Sequence, residues 1–180
     1  MSVVAVSQSK EHHFSKDVVD SITLIEGRGV LGDCHFGENV QHLSRVKVNP
    51  NQPNLRQVHL ISQEFQQELK GKGFVKGCLP GQMGENITTV GIDLINLPLG
   101  TTLTINDVVL EITGLRNPCP QLSKLESDLL EACRLRDEQG EIIVRKSGIM
   151  AIVLKGGSIK ASDKIIVQSP PEPHVALKVV

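Results

Sequence analysis

Short runs of β-branched and aliphatic residues, most cut off by glycine, proline or asparagine, constrain this chain most. They recur at residues 3–6, 21–24, 56–61, 101–105, 108–113, 141–145, 149–154 and 164–167. Several alternate in polarity, as a half-buried strand does, while Ile149-Met150-Ala151-Ile152-Val153-Leu154 is apolar enough to be buried on both faces. Between the runs, Leu97-Pro98-Leu99-Gly100, Asn106-Asp107, Asp137-Glu138-Gln139-Gly140 and Gly156-Gly157 read as turns. Helical spacing occurs in two stretches. Ser62 is placed to cap a short helix that turns Phe65 and Leu69 inward and stops at Gly71; Leu122, Leu125, Leu129 and Cys133 mark the second. The pattern predicts a mainly β fold with a few short helices, closed or partly open as a β-barrel, because closure removes exposed sheet edges. One domain is expected over residues 1–168, followed by a Pro-rich tail, 169–180, that should leave the core or lie on an edge.

A chain of 180 residues can bury roughly 70% of its unfolded surface, so no disulfide or metal staple is required. The formal net charge of -1 gives no electrostatic argument for nucleic acid, and four Phe without Trp or Tyr supply no base-stacking platform. No apolar run is long enough to span a bilayer, and no basic segment with an apolar core opens the sequence; a cytoplasmic protein acting on a small molecule is expected. Cys34, Cys78, Cys119 and Cys133 form no CxxC pair, so free thiols are expected, with neither zinc nor haem. Cys133 falls on the helix stripe and should be core; Cys78 sits in a Gly-rich turn.

One thiol is unusually constrained. Cys119 lies in Arg116-Asn117-Pro118-Cys119-Pro120, between the run ending at Thr113 and the second helical stretch. Pro118 and Pro120 each disfavour the helical region for the residue before them, and Pro120 suits a first helical position, which makes Cys119 the expected N-cap. A free thiol ionises near pH 8.5, and a helix N-terminus contributes roughly 0.3–1 kcal/mol, less than one pKa unit. Arg116, a metal or a bound cofactor must supply the rest if a thiolate is to act. The alternative is a structural thiol in a rigid loop.

Two further segments supply candidates. Gly27 to Gly37 is Gly-rich but matches neither phosphate-loop pattern. Within it Asp33 and His35, two apart, would share one side of an extended segment, as a ligand pair or as a His held in one tautomer by a carboxylate; a solvated turn is the other possibility. In Pro80-Gly81-Gln82-Met83-Gly84-Glu85-Asn86, two glycines bracket a turn before Glu85 and Asn86 enter a strand. Arg56 begins its strand and projects either into a cleft or into solvent, and His12 and His13 read as solvated loop residues. Side chains fill a small barrel, so the site is expected at one mouth, between these loops and Cys119.

Gly29-Val30-Leu31-Gly32-Asp33-Cys34-His35, Arg56-Gln57-Val58-His59-Leu60-Ile61 and Pro80 to Thr88, followed by Gly91-Ile92-Asp93-Leu94 and the Arg116 to Cys119 segment, resemble the MOSC domain family. This β-barrel domain is also found at the C-terminus of molybdenum cofactor sulfurases. The resemblance covers most of the chain and implies a stand-alone, bacterial-type member with an open site around Cys119. Family members are proposed to carry sulfur on that cysteine as a persulfide; in others, which reduce N-hydroxylated compounds, the thiolate ligates molybdenum of a pterin cofactor. Asp33, His35, Arg56, Gly84, Glu85, Asn86 and Arg116 then become candidates for lining the pocket, with Arg56 and Arg116 able to fork onto a phosphate. The chain departs from the family at Ile159-Lys160-Ala161-Ser162-Asp163, which replaces a usual Gly-Asp turn, and at Asn106, where the family often has Gly.

The sequence carries no iron–sulfur cysteine cluster, no recognisable flavin or nicotinamide site and no pyridoxal-phosphate transferase domain. A reductase would need a separate electron donor, and a sulfur carrier a separate sulfur donor. Three functions are therefore carried forward: a molybdenum-cofactor protein with Cys119 as the metal ligand, a persulfide carrier on Cys119, and a non-catalytic binding module that uses the tail as a partner contact.

Overall fold

The computed structural model describes residues 1–180. Strands β1 (Ser2–Gln8), β2 (Asp17–Val19), β3 (Ser21–Ile25) and β4 (Gly29–Val30) open the chain. A short helix, α1 (Leu43–Val46), precedes β5 (Val58–Ser62), α2 (Gln63–Gly71) and β6 (Ile87–Val90). The hairpin β7 (Thr102–Ile105) and β8 (Val108–Leu115) leads into α3 (Gln121–Leu125) and α4 (Leu129–Ala132). The chain closes through β9 (Arg134–Arg136), β10 (Ile142–Arg145), β11 (Ile149–Lys155), β12 (Gly157–Lys160) and β13 (Ile166–Gln168).

Eight strands form one curled sheet in the order β13-β7-β8-β11-β5-β6-β1-β2. Pairing is antiparallel except between β5 and β6, where α2 and the loop after it provide the crossover that parallel neighbours require. The two end strands do not pair, so the barrel is partly open; an isolated bridge between Ser2 and Lys164 reaches across. Strands β12, β3 and β4 make a second sheet. The main core of 21 buried residues joins the two sheets, with Leu24 and Ile159 from one meeting Leu60, Leu110 and Ile112 from the other. Alternation along β8 is kept, with Val108, Leu110 and Ile112 buried between half-buried neighbours.

Helix α2 forms as its residues dictate: the Ser62 hydroxyl accepts the Phe65 amide proton at 3.3 Å, and Phe65 and Leu69 are buried. They join Ile61, Met83, Leu122, Leu129 and Cys133 in a second core. Each such aliphatic side chain contributes on the order of 1.5–3 kcal/mol, enough to hold short helices with little stability of their own.

Several expectations are corrected. The stretch from Leu122 to Cys133 is two helices: the chain is extended at Glu126 and left-handed at Asp128, with φ 63°, and together these break the helical run. Pro120, with φ -58° and ψ -16°, stands at the cap of α3, one residue beyond Cys119. Arg56 lies ahead of β5 and does not start it, and Gly157 begins β12 where a turn was expected. The last residues return to the body: Leu177 is buried, and Ala176 and Val179 form bridges with Pro98 and Leu115. The two departures from the family pattern keep left-handed turns. Asn106 and Ser162 take φ 54° and 72°, and the Asn106 amide donates to Asp163 Oδ2 at 2.8 Å.

Candidate functional site

A cleft of about 710 Å³ opens where the loops after β1, β4 and β8 meet the turn before β6. His59 and Met150, paired across β5 and β11, contribute to its lining. Cys119 reaches it from the segment after β8. Upstream, the Arg116 amide donates to Gly148 O at 2.9 Å, and Pro118 is buried. Downstream, the Leu122 amide donates to Cys119 O at 3.1 Å and starts α3. The thiol itself is half-buried, 3.7 Å from Gln121 Oε1. It is the only one of the four cysteines that lines the cleft.

Charge distinguishes this cleft from the rest of the surface. Lys16, Lys47, Arg56 and Arg116 line it together with five of the six histidines, and no carboxylate does. In a chain of net charge -1 that is a local concentration of positive charge. Arg116 donates to Met83 O at 2.6 Å and lies 5.6 Å from the Phe14 ring centre, a cation–π distance. The buried Arg56 Nε has no hydrogen-bond partner. Burial, and after it the positive charges of Arg45 and Arg116, push the Arg56 guanidinium down to about 10. Guanidinium groups held this way are ready to accept an anion.

Behind the lining stands a buried polar network. Asp33 receives Lys16 Nζ at 2.6 Å, Asn86 Nδ2 at 3.1 Å and the Ser9 amide at 3.3 Å through Oδ2. Its Oδ1 takes the His35 amide at 3.0 Å and lies 3.3 Å from His35 Nδ1. Burial pushes this carboxyl up, but the bonds from His35 and the charge of Lys16 outweigh it and hold it well below the usual carboxylate range. Burial also lowers the Lys16 ammonium, more than Asp33 raises it. The expected pairing of Asp33 with His35 is present, but a tight turn brings them together instead of an extended segment. Burial lowers the His35 imidazole, and burial with the Asp33 charge pushes the Cys34 thiol up to about 11. His59 is buried and neutral: burial lowers it well below its ordinary value, and Nε2 donates to Ser147 O at 2.8 Å.

The predicted site residues therefore separate into two groups. His35, Arg56, Gly84, Asn86, Arg116 and Cys119 face the cleft. Asp33 and Glu85 do not. Glu85 is fully buried and accepts from Gln66 Nε2 and the Gly81 amide at 2.8 Å, the Met83 amide at 3.1 Å and the Thr88 hydroxyl at 3.2 Å. It shapes the loop that presents Gly84 and Asn86. At Gly84, φ is +80° and a Cβ would stand 2.5 Å from Phe14 O, so only glycine lets the two loops approach.

Sequence reasoning missed Lys16, His42, Lys47 and His59, and His12 and His13, read as solvated, line the cleft. One ligand atom each from His12, Cys34 and His35 lies within 4.8 Å of the others, a cluster able to hold a metal ion. The adjacent Cys34-His35 pair was the available signal; the approach of His12 depends on contacts across the fold.

No helix is long and apolar enough to cross a membrane. The fold is similar to that of the YUAD protein from Bacillus subtilis, with 25% identity over 95% of this chain and 98% of that one and a TM-score of 0.74. YiiM from Escherichia coli shares the fold at 17% identity and a TM-score of 0.62, over 97% of this chain and 73% of that one. YiiM from Geobacillus stearothermophilus does so at 17% identity and 0.57, over 93% and 73%. Sequence comparison with curated proteins gives no match. The sequence model of the MOSC domain matches residues 10–166, and the chain belongs to the MOSC domain family.

Proposed function

We propose that the cleft holds a molybdenum-pterin cofactor, with the Cys119 thiolate as a ligand of the metal. The observation that carries this reading is a half-buried thiol opening into a cationic, carboxylate-free cleft in which the Arg56 Nε lacks any protein acceptor. The donors fit the group. A soft sulfur suits a metal of this class, and Arg56, Arg116, Lys16 and Lys47 suit an anionic, phosphate-bearing ligand. When bound, the cofactor supplies two-electron chemistry at its metal.

The remaining work belongs to this chain. Arg56 and Arg116 bind and orient the anion, while Asn86, fixed through Ser7 O and Asp33, holds the cleft wall. His59, its Nε2 bonded to Ser147 O, holds its ring fixed at the cleft wall. The substrate class proposed is an N-hydroxylated base or amine. Its reduction takes two electrons and two protons, turns N–OH into N–H and releases water. The electrons come from a separate donor protein.

A persulfide on Cys119 is the second reading, favoured because this thiol alone among the four opens into the cleft. Expression in a host that makes the cofactor, followed by elemental analysis and non-reducing intact-mass spectrometry, separates the two. Stoichiometric molybdenum that is lost in Cys119→Ala is expected. A mass gain of one sulfur at Cys119 without molybdenum would transfer the assignment to the carrier, and neither signal would reject both and leave the binding module.

A further inference from the structure

We propose that His12, Cys34 and His35 form a second metal site, beside the cleft and separate from Cys119, that takes a thiophilic divalent cation of the Zn²⁺ class. It goes beyond the reading of Cys119 and does not rest on it.

The geometry carries the assignment. Cys34 Sγ stands 3.1 Å from His35 Nδ1, and the His12 ring meets the His35 ring edge-on, with centroids 5.5 Å apart. The three ligand atoms all lie within 4.8 Å of one another; zinc bonds of about 2.0–2.3 Å place neighbouring donors roughly 3–4 Å apart, so a small inward turn of the exposed His12 ring completes the set. One sulfur and two imidazoles are a donor set for zinc or copper and a poor one for magnesium or calcium. His12 is exposed and the other two are half-buried, so an ion has access without unfolding the loop.

The support around the ligands is already built. The Cys34 amide donates to Ser9 O at 2.8 Å, which ties the turn to the segment carrying His12. Asp33 grips the His35 main chain at 3.0 Å and is itself held by the buried Lys16. These bonds fix the turn that carries Cys34 and His35 before any ion arrives. Three protein donors leave a fourth tetrahedral position. His12 and His35 both line the cleft, so that position is available to water or to an anionic group bound there, as in zinc sites that act on substrates.

The test uses the full chain, stripped with a chelator and titrated with Zn²⁺ alone, and with Co²⁺ as an optical probe. The expected result is one equivalent bound by the wild type and by Cys119→Ala, with a sulfur-to-cobalt charge-transfer band. Without Trp or Tyr the protein contributes little background to that band. The band should vanish in Cys34→Ser. Zinc affinity should fall at least about tenfold in His12→Ala, an exposed position where substitution leaves the fold intact. No binding by the wild type overturns the proposal. So does zinc retained at full affinity in both Cys34→Ser and His12→Ala, or lost in Cys119→Ala while kept in Cys34→Ser.

Discussion

Replacing Glu85 by glutamine exchanges one oxygen of a carboxylate that accepts four hydrogen bonds inside the protein. Burial pushes this carboxyl up from its ordinary value, yet Gln66 Nε2 and the two main-chain amides can only donate to it, which favours the ionised form. Glutamine offers one acceptor oxygen and one NH₂. The less costly orientation keeps the oxygen at Oε1, where Gln66, Gly81 and Thr88 converge, and turns the NH₂ onto the Met83 amide at Oε2. One charge-assisted bond is lost and one buried donor is left bare, a cost of about 1.5–3 kcal/mol. At about 2–4 °C per kcal/mol for a chain of this length, the melting temperature should drop by about 3–12 °C. Far-ultraviolet circular dichroism is the assay, because the chain lacks tryptophan and tyrosine. Glu85→Ala strips all four donors and should fall further. Wild-type melting of Glu85→Gln would refute the structural role of the carboxylate, and unchanged melting with lost cofactor would place it in ligand contact instead.

Cys119→Ser should melt within about 0.5 kcal/mol of wild type, as a half-buried loop position, while abolishing bound molybdenum or sulfur. Arg56→Met should melt at or above the wild-type temperature, since a desolvated guanidinium without an acceptor at Nε opposes folding, and should weaken phosphate binding measured by titration calorimetry. Asp33→Asn leaves the buried Lys16 ammonium uncompensated and should cost about 3–5 kcal/mol in urea unfolding, part of it recovered when Lys16→Met is added, which removes the bare charge and keeps an acceptor oxygen at position 33. Burial raises Glu68, but Lys146 and Lys72 hold it below its usual value, so its stabilisation is present above the unfolded pKa and lost as pH falls through the folded one. Glu68→Gln should therefore flatten the acid limb of the stability curve at low salt, with little effect at high salt.

Where neighbours along the chain set the outcome, the sequence was legible. Helix α2 runs from its Ser62 cap to Gly71, and β8 keeps its alternation, because caps and period-2 patterns are local. The break at Asp128 was not legible, since Leu125 and Leu129 keep helical spacing on both sides of it and both pack into the second core. Strand β9, Arg134-Leu135-Arg136, is short, charged and formed only against β10. Of the cleft lining, His35, Arg56, Gly84, Asn86, Arg116 and Cys119 lie in segments that the sequence singled out. The approach of His12, His13, His42, His59 and Lys16 to the cleft was not legible, because it depends on contacts across the fold.

The returning tail has a mechanical consequence for the thiol. The Leu115 amide donates to Lys178 O at 2.8 Å, the Val180 amide to Leu115 O at 3.2 Å, and the next amide, Arg116, to Gly148 O. A side chain on Gly114 would collide with the Lys178 carbonyl, so the tail can lie flat against the strand there. Backbone is thus clamped from two sides just ahead of Cys119, whereas the segment after it leads into helices of five and four residues. The thiol sits at the downstream edge of that clamp. A cut or fusion near Val180 would therefore be transmitted to the aim of a sulfur atom far away in sequence.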